Sequence, residues 1–308
     1  MKFLIIAVSI LTAIFIIFEL LVNYGYHYLF IRRDNKKPEE YLKGEKLQNK
    51  LNKINIINEY LNKSKYEKIF INSFDDAKLC GIRIFNHNTN KYIILVHGWH
   101  QNKESILDRA IKFDEFGYNT LTIDQRAAGE SNGPINTFGL KESKDLIEWI
   151  KYLNSIVPDA QIVLYGVSMG GASILMSLNS DLLNNVKCVI EDCGTSEFKK
   201  LIEKFYYDKL KIKKANFILK IYNFEMKKHF GFTLNDLNTL PYLKNNEIPL
   251  LVMHGDKDDF VPFYMSKEIY DTNKGYKEYY VARNRKHLEA FLDENYFDYI
   301  NIFINKFM

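Results

Sequence analysis

From Phe3 to Phe18 the chain is apolar at every position except Ser9 and Thr12, and from Phe3 to Ile31 its only charge is Glu19. About 20 apolar residues cross a bilayer's hydrocarbon core, so this run predicts one membrane-spanning helix. Tyr24, Tyr26 and Tyr28 follow as an interfacial aromatic cluster. No small-x-small cleavage site comes after the apolar core, which favours a retained anchor over residues 1–31 rather than a cleaved signal peptide. Residues 32–64 are rich in Lys, Glu and Asn, with Leu47, Leu51, Ile54, Ile57 and Leu61 at roughly helical spacing, and read as a linker and connecting helix. Over 65–308 the period shortens. Strand-like runs near 67, 79, 92, 119, 161, 186, 248 and 276 alternate, after the first two, with helical patterns. That order predicts an α/β domain: an eight-stranded, mostly parallel sheet with helices on both faces. The alternation breaks between about 197 and 232, where a helical, charged, aromatic insert reads as a cap. Its rings, including Phe205, Tyr206, Tyr207, Phe217, Tyr222, Phe224 and Phe230, either line an acyl or aryl pocket or pin the cap to the domain.

Charge adds a local feature. The formal net charge is +4, yet Lys199 to Lys228 holds ten lysines against Glu203, Asp208 and Glu225, so the rest of the chain is net acidic. A basic cap on a tethered protein can sit near anionic headgroups; the alternative is a solvated helix face. No motif supports nucleic-acid binding. Lys2 flanks the apolar run on one side and Arg32, Arg33, Lys36 and Lys37 on the other, a bias that points to a single-pass cell-membrane protein with a cytoplasmic catalytic domain, although long domains translocate regardless of flanking charge. Cys80, Cys188 and Cys193 are too few and too oddly numbered for a disulfide framework; they read as core or loop residues, and metal binding is not indicated.

The candidate chemistry lies at Gly166-x-Ser168-x-Gly170, after the strand Gln161 to Tyr165 and before a helical stretch from Met169 to Asn179. A serine on so sharp a strand-to-helix turn needs small residues two before and two after it, because strand and helix backbones approach there. It also needs a base within hydrogen-bond reach and an acid to fix that base's tautomer. Only His287 follows the acidic loop His254-Gly-Asp-Lys-Asp-Asp-Phe-Val-Pro262, so chain order makes His287 the general base. Composition leaves the acid open among Asp256, Asp258, Asp259 and Asp192, the last after the strand Val186 to Ile190.

These residues resemble the α/β-hydrolase superfamily, and within it the bacterial membrane-anchored esterase, lipase and serine-peptidase-like branch, whose acid loop reads His-Gly-x-x-Asp-x-x-Val-Pro. The resemblance covers roughly residues 65 to 308. It implies that Asp258 is the acid, and that the backbone N–H groups of Trp99, after Val96-His97-Gly98, and of Met169 form an oxyanion hole. It also implies that Asp124 to Ser131 is the Asp-x-Arg-Gly-x-Gly-x-Ser loop, with Asp124 and Arg126 as supports, although Ala127 stands where that pattern has glycine. The implied activity is a membrane-anchored serine hydrolase acting on a small or lipid-like carboxylic ester, with no metal or organic cofactor. Acyl transfer through the same acyl-enzyme, peptide hydrolysis, and a silent membrane-tethered binding module are the alternatives; acceptor alcohols and organophosphonate labelling separate them.

Overall fold

The computed structural model describes residues 1–32, 44–211 and 216–308. Arg33, Lys36 and Lys37 of the flanking-charge argument, and Lys213 and Lys214 of the cap, lie outside the described residues. The first helices are α1 (Lys2–Phe30) and α2 (Glu45–Lys63). The sheet then begins with β1 (Tyr66–Asn72), β2 (Lys78–Ile84) and β3 (Lys91–Val96), followed by α3 (Leu107–Glu115) and β4 (Asn119–Ile123). After α4 (Glu142–Ile156) come β5 (Gln161–Val167), α5 (Met169–Ser177) and β6 (Val186–Asp192). The cap holds α6 (Phe198–Leu210) and α7 (Asn216–Phe230); α8 (Leu240–Leu243), β7 (Leu250–Gly255), α9 (Phe263–Thr272), β8 (Lys277–Ala282) and α10 (Tyr296–Ile304) complete the chain.

The eight strands form one sheet in the order β1-β2-β4-β3-β5-β6-β7-β8. The β1–β2 and β2–β4 pairs are antiparallel, and every pair from β4 through β8 is parallel. The central strands are apolar on both faces because both faces are covered. On one face Ile93, Leu95, Tyr165 and Ile190 pack with Phe113 of α3 and with Tyr296, Ile300 and Phe303 of α10. On the other, Ile94, Val96, Leu164 and Val189 meet Trp149 and Leu153 of α4, Ile174 and Leu175 of α5, and Ile269 of α9. A parallel sheet opens its ligand crevice outside the carboxyl ends of its strands. Here those ends deliver His97, Ser168, Cys193, Asp258 and His287 to one edge.

A third apolar cluster joins the cap to the end of α1. Phe30 is fully buried, with ring centroids 5.4 Å from Phe138, 6.1 Å from Phe198, 5.9 Å from Phe230 and 6.1 Å from Phe232. Gly25 is what lets α1 cross α7 so closely: a Cβ there would sit 2.0 Å from the Tyr222 hydroxyl. Backbone bonds from Arg32 N–H to Pro134 O (2.8 Å) and from Asn136 N–H to Phe30 O (2.8 Å) tie the helix end to the loop before α4. The end of the stretch read from the sequence as anchor is thus part of the globular unit. Further up, Phe3, Ile5, Ile6, Val8, Ile10, Phe15, Ile16 and Leu20 are exposed. Counted over the described residues, no helix is long and apolar enough to cross a membrane.

Phe30→Ala is expected to cost about 3 to 5 kcal/mol, the usual loss for an emptied phenylalanine site, and to loosen the cap first. Chemical denaturation with limited proteolysis of the cap checks this; a variant as stable and as protease-resistant as wild type would mean that α1 does not pack there in solution.

Candidate active site

Ser168 stands between β5 and α5 with φ 55° and ψ −116°, a conformation that L-residues avoid. Its surroundings permit little else. A Cβ on Gly166 would lie 2.5 Å from Gly170 O, and one on Gly170 would lie 2.2 Å from Val96 O and 2.7 Å from His97 O. Both positions therefore need glycine, as the spacing predicts, and the strained turn pushes the serine out of line with its strand.

Ser168 Oγ lies 3.1 Å from His287 Nε2, and His287 Nδ1 lies 2.7 Å from Asp258 Oδ2. A carboxylate accepts only, so Nδ1 carries the proton facing Asp258 and Nε2 is free to accept one from the hydroxyl. Of the four acids left open by composition, Asp258 is the one bonded to His287. Asp256 accepts from Asn284 N–H at 2.6 Å, Asp259 is exposed, and Asp192 accepts from the Tyr296 hydroxyl at 2.7 Å.

Asp258 is held by more than its histidine. Its Oδ1 accepts from the N–H groups of Phe260 (2.9 Å) and Val261 (2.8 Å), and its Oδ2 also meets Nε2 of fully buried His254 at 3.2 Å. Burial pushes the carboxyl up, but the bonds from His254 and His287 outweigh it and bring the pKa down to about 2. Asp258 is consequently an anion across the working range. Burial alone would lower the pKa of His254; the bond and charge of Asp258 raise it instead. His254 is visible in the sequence only as the first residue of the acid loop, and nothing in that pattern marks it as a second imidazole on the same oxygen.

The loop expected to supply the oxyanion donors is as closely fixed. Gly98 N–H is taken by Gln101 Oε1 at 2.9 Å, so it is not available to a substrate, while no bond among the described residues engages the N–H of Trp99 or Met169. His97 Nδ1 donates to Gly98 O (2.7 Å) and Nε2 accepts from Gln125 N–H (3.0 Å), which locks a neutral ring; burial pushes its pKa down. Gln125 also donates to His97 O (2.6 Å) and accepts from the Ser173 hydroxyl (2.6 Å). Neither Gln101 nor Gln125 carries a recognisable signal in the sequence. Asp124 accepts from Lys103 N–H and Nζ (both 2.7 Å), and Arg126 spans Asp145 and Asp75, so both are loop supports. Ala127 adopts φ 58°, the conformation for which glycine is suited, so the chain keeps the turn and bears the strain.

Against Ser168 lies a cavity of about 20 Å³, lined by Trp99, Phe138, Met169, Phe198, Leu201 and Phe260 among others. That is room for about one water. None of the seven rings singled out in the cap lines it. Tyr206, Tyr222 and Phe230 pack in the α1 cluster, whereas Phe205, Tyr207, Phe217 and Phe224 are exposed. Helical spacing alone does not say which face of α6 or α7 turns inward.

Ligand atoms of Cys193, Asp258 and His287 lie within 4.8 Å of one another, the one such group among the described residues. Two of these are already bonded to each other, and burial pushes the Cys193 thiol well above its ordinary pKa, a poor donor set for a cation. All three cysteines are free and buried.

Behind the site, Glu191 is fully buried with one oxygen accepting from Gly194 N–H and Oε2 without a partner among the described residues. Burial raises its pKa to about 8. A carboxyl raised in the folded state adds stability below its ordinary pKa of about 4.5 and loses it as pH rises through about 8. Wild type should therefore lose stability relative to Glu191→Gln across that window, which melting at a series of pH values measures; parallel profiles would refute a neutral Glu191.

A family profile described as the alpha/beta hydrolase fold matches residues 91–211. The uncharacterized protein YqkD of Bacillus subtilis is 25% identical over 213 residues, 68% of this chain and 69% of that protein. The uncharacterized protein YfhR of Escherichia coli K12 is 24% identical over 206 residues, 66% of this chain and 65% of its own length. An uncharacterized membrane protein of Saccharomyces cerevisiae, YNL320W, is 26% identical over 249 residues, 78% of this chain and 79% of that one. Among solved structures, the Pyrococcus furiosus esterase Pf2001 superposes with a TM-score of 0.64 at 23% identity, covering 80% of this chain and 94% of the esterase. An esterase from Thermogutta terrifontis superposes with 0.55 at 16% identity, covering 78% and 98%. The sheet order, the strained serine turn and these likenesses together establish that the chain has the α/β-hydrolase fold.

Proposed function

We propose that the protein is a serine hydrolase that cleaves a carboxylic ester through a covalent acyl-enzyme. The observation that carries this reading is the unbroken row from Ser168 Oγ to His287 Nε2 and from His287 Nδ1 to Asp258 Oδ2, at 3.1 and 2.7 Å. The esterases among its structural neighbours agree with it.

In the proposed reaction His287 Nε2 takes the Ser168 proton as Oγ bonds to the ester carbonyl carbon. The carbonyl oxygen becomes an alkoxide facing the N–H groups of Trp99 and Met169. Two fixed donors stabilise it without reorganising, and one such donor is typically worth about 3 to 4 kcal/mol. Collapse breaks the ester C–O bond, and the imidazolium returns its proton to the departing alcohol. Water then adds to the acyl-enzyme, His287 takes its proton and gives it to Ser168, and the acid leaves. Asp258 stays ionised throughout, holding the tautomer and balancing the imidazolium. Because the space at Ser168 admits about one water, α6, whose Phe198 and Leu201 line it, must shift to admit a substrate.

We also propose that the apolar run Phe3 to Phe18, at the start of α1, holds the enzyme at a membrane, with the catalytic domain on the cytoplasmic side. Support comes from the apolar run Phe3 to Phe18, from the exposed side chains along it, and from the yeast relative described as a membrane protein. The flanking charges incline the domain to that side.

A series of p-nitrophenyl esters of rising chain length, assayed on the full chain in detergent, tests the chemistry. Ser168→Ala is expected to abolish turnover, and Asp258→Asn to lower kcat by roughly 10³ to 10⁴ by supplying the wrong tautomer. Turnover retained in Ser168→Ala would remove the proposal.

A further inference from the structure

Two cavities meet at Trp99 and Met169, the residues whose N–H groups face the proposed alkoxide. The first is the apolar space among Phe138, Phe198, Leu201 and Phe260. The second, of about 30 Å³, is polar, and Arg32, Arg126, Gln101 and Asn136 contribute to its wall. Its two arginines are balanced differently. Arg126 is held by the carboxylates of Asp145 and Asp75. Arg32 instead donates Nη1 to Ser131 O (2.6 Å) and Nη2 to Gly129 O (2.9 Å), both neutral, and no carboxylate among the described residues lies within ion-pair distance of it. Carbonyls orient a guanidinium without cancelling its charge.

Asn136 supplies an independent sign of a ligand. It is about nine-tenths buried, and its Nδ2 donates to Leu29 O (2.9 Å) and Phe30 O (3.2 Å), which fixes the amide orientation and leaves Oδ1 without a partner among the described residues. A buried acceptor left unpaired is costly, and a hydroxyl hydrogen satisfies it. Among the described residues, this wall thus offers a cation with no carboxylate partner, and buried beside it an acceptor with no donor.

We infer that this second pocket receives an anionic, hydroxyl-bearing group on the alcohol part of the substrate, with Arg32 as its cation, while the apolar cavity takes the acyl chain. The inference rests on the hydrolase reading above and narrows it to single-chain acyl esters of small, hydroxylated, anionic alcohols. A phosphate monoester and a hydroxy-carboxylate share that chemistry. Because Arg32 lies two residues past Phe30, the last residue of α1, the group would be read at the foot of the proposed anchor.

The test compares kcat/KM for three esters of one acyl chain, 1-acylglycerol, 1-acylglycerol 3-phosphate and acylglycerate, on the full chain in detergent. Wild type should prefer at least one anionic ester over the neutral one by about tenfold or more, the usual scale for a hydrogen bond to a charged group. Arg32→Ala should bring that ratio to within about threefold, and Ala128→Asp, which places a carboxylate on the lining of the same pocket, should lower it likewise. The ratio within each protein is insensitive to the fraction folded. The size of the phosphate and carboxylate ratios distinguishes the two anions. A ratio near one in wild type, or one unchanged by both substitutions, overturns the inference. Calorimetry of glycerol 3-phosphate and of glycerate on Ser168→Ala separates the two readings: binding of either, weakened by Arg32→Ala, upholds the pocket even if no ester is cleaved, and binding of neither sinks it whatever the esters show.

Discussion

Ser168 is confined to φ 55° by the sheet around it, and the placement of every other group at the site follows from that confinement. Such a conformation costs about 1 to 3 kcal/mol and persists only where the neighbours over-determine it. Here β3 and β5 run side by side, and Gly170 passes so near Val96 O and His97 O that no side chain fits. The same approach sets the loop after β3 beside the first turn of α5, so the proposed nucleophile and oxyanion donors are located by one backbone contact. Positive φ also occurs at His100, Phe138, Cys193 and Leu288, each on a loop at this edge of the sheet. Strain gathered at one edge, opposite a well-packed core, is the pattern expected of a site built for geometry rather than stability.

Electrostatics at the site depends on keeping one carboxyl charged and another neutral. Asp258 has four polar partners and stays an anion; Glu191 has one bonded oxygen, lies deeper, and holds its proton up to about pH 8. Two neighbouring acids are thereby driven in opposite directions by solvation and hydrogen bonding alone. His254 is bonded to Asp258, whose bond and charge raise its pKa against the lowering effect of burial. The charge of Asp258 is shared between two imidazoles, and His287 is the one that reaches the serine.

Much of this was legible in the sequence, for physical reasons that differ by residue. The strands could be read because a sheet covered on both faces demands continuous apolar runs, as in Ile93 to Val96. The serine turn could be read because crowding leaves glycine as the sole choice at 166 and 170. The acid could not be separated from Asp256 and Asp259 by composition, since what distinguishes Asp258 is a contact with a histidine far along the chain. Gln101, Gln125 and His254 were equally silent, being common residues whose importance lies in one bond each. The apolar N-terminus reads as a membrane segment from its composition, but composition does not reveal that Phe30 closes the cap cluster or that Leu29 O accepts from Trp99 Nε1 at 3.2 Å. Residues joined by that bond are distant in sequence and adjacent at the site.

The account stands or falls on whether Ser168 is an activated nucleophile. Fluorophosphonate labelling of the full chain in detergent, followed by mass analysis of the intact protein and of the peptide spanning Gln161 to Ser177, measures this directly. One adduct per chain on Ser168, lost in Ser168→Ala and nearly lost in His287→Ala, is the predicted result. A folded wild-type protein that takes no label, or a Ser168→Ala variant that takes it equally, would contradict the account.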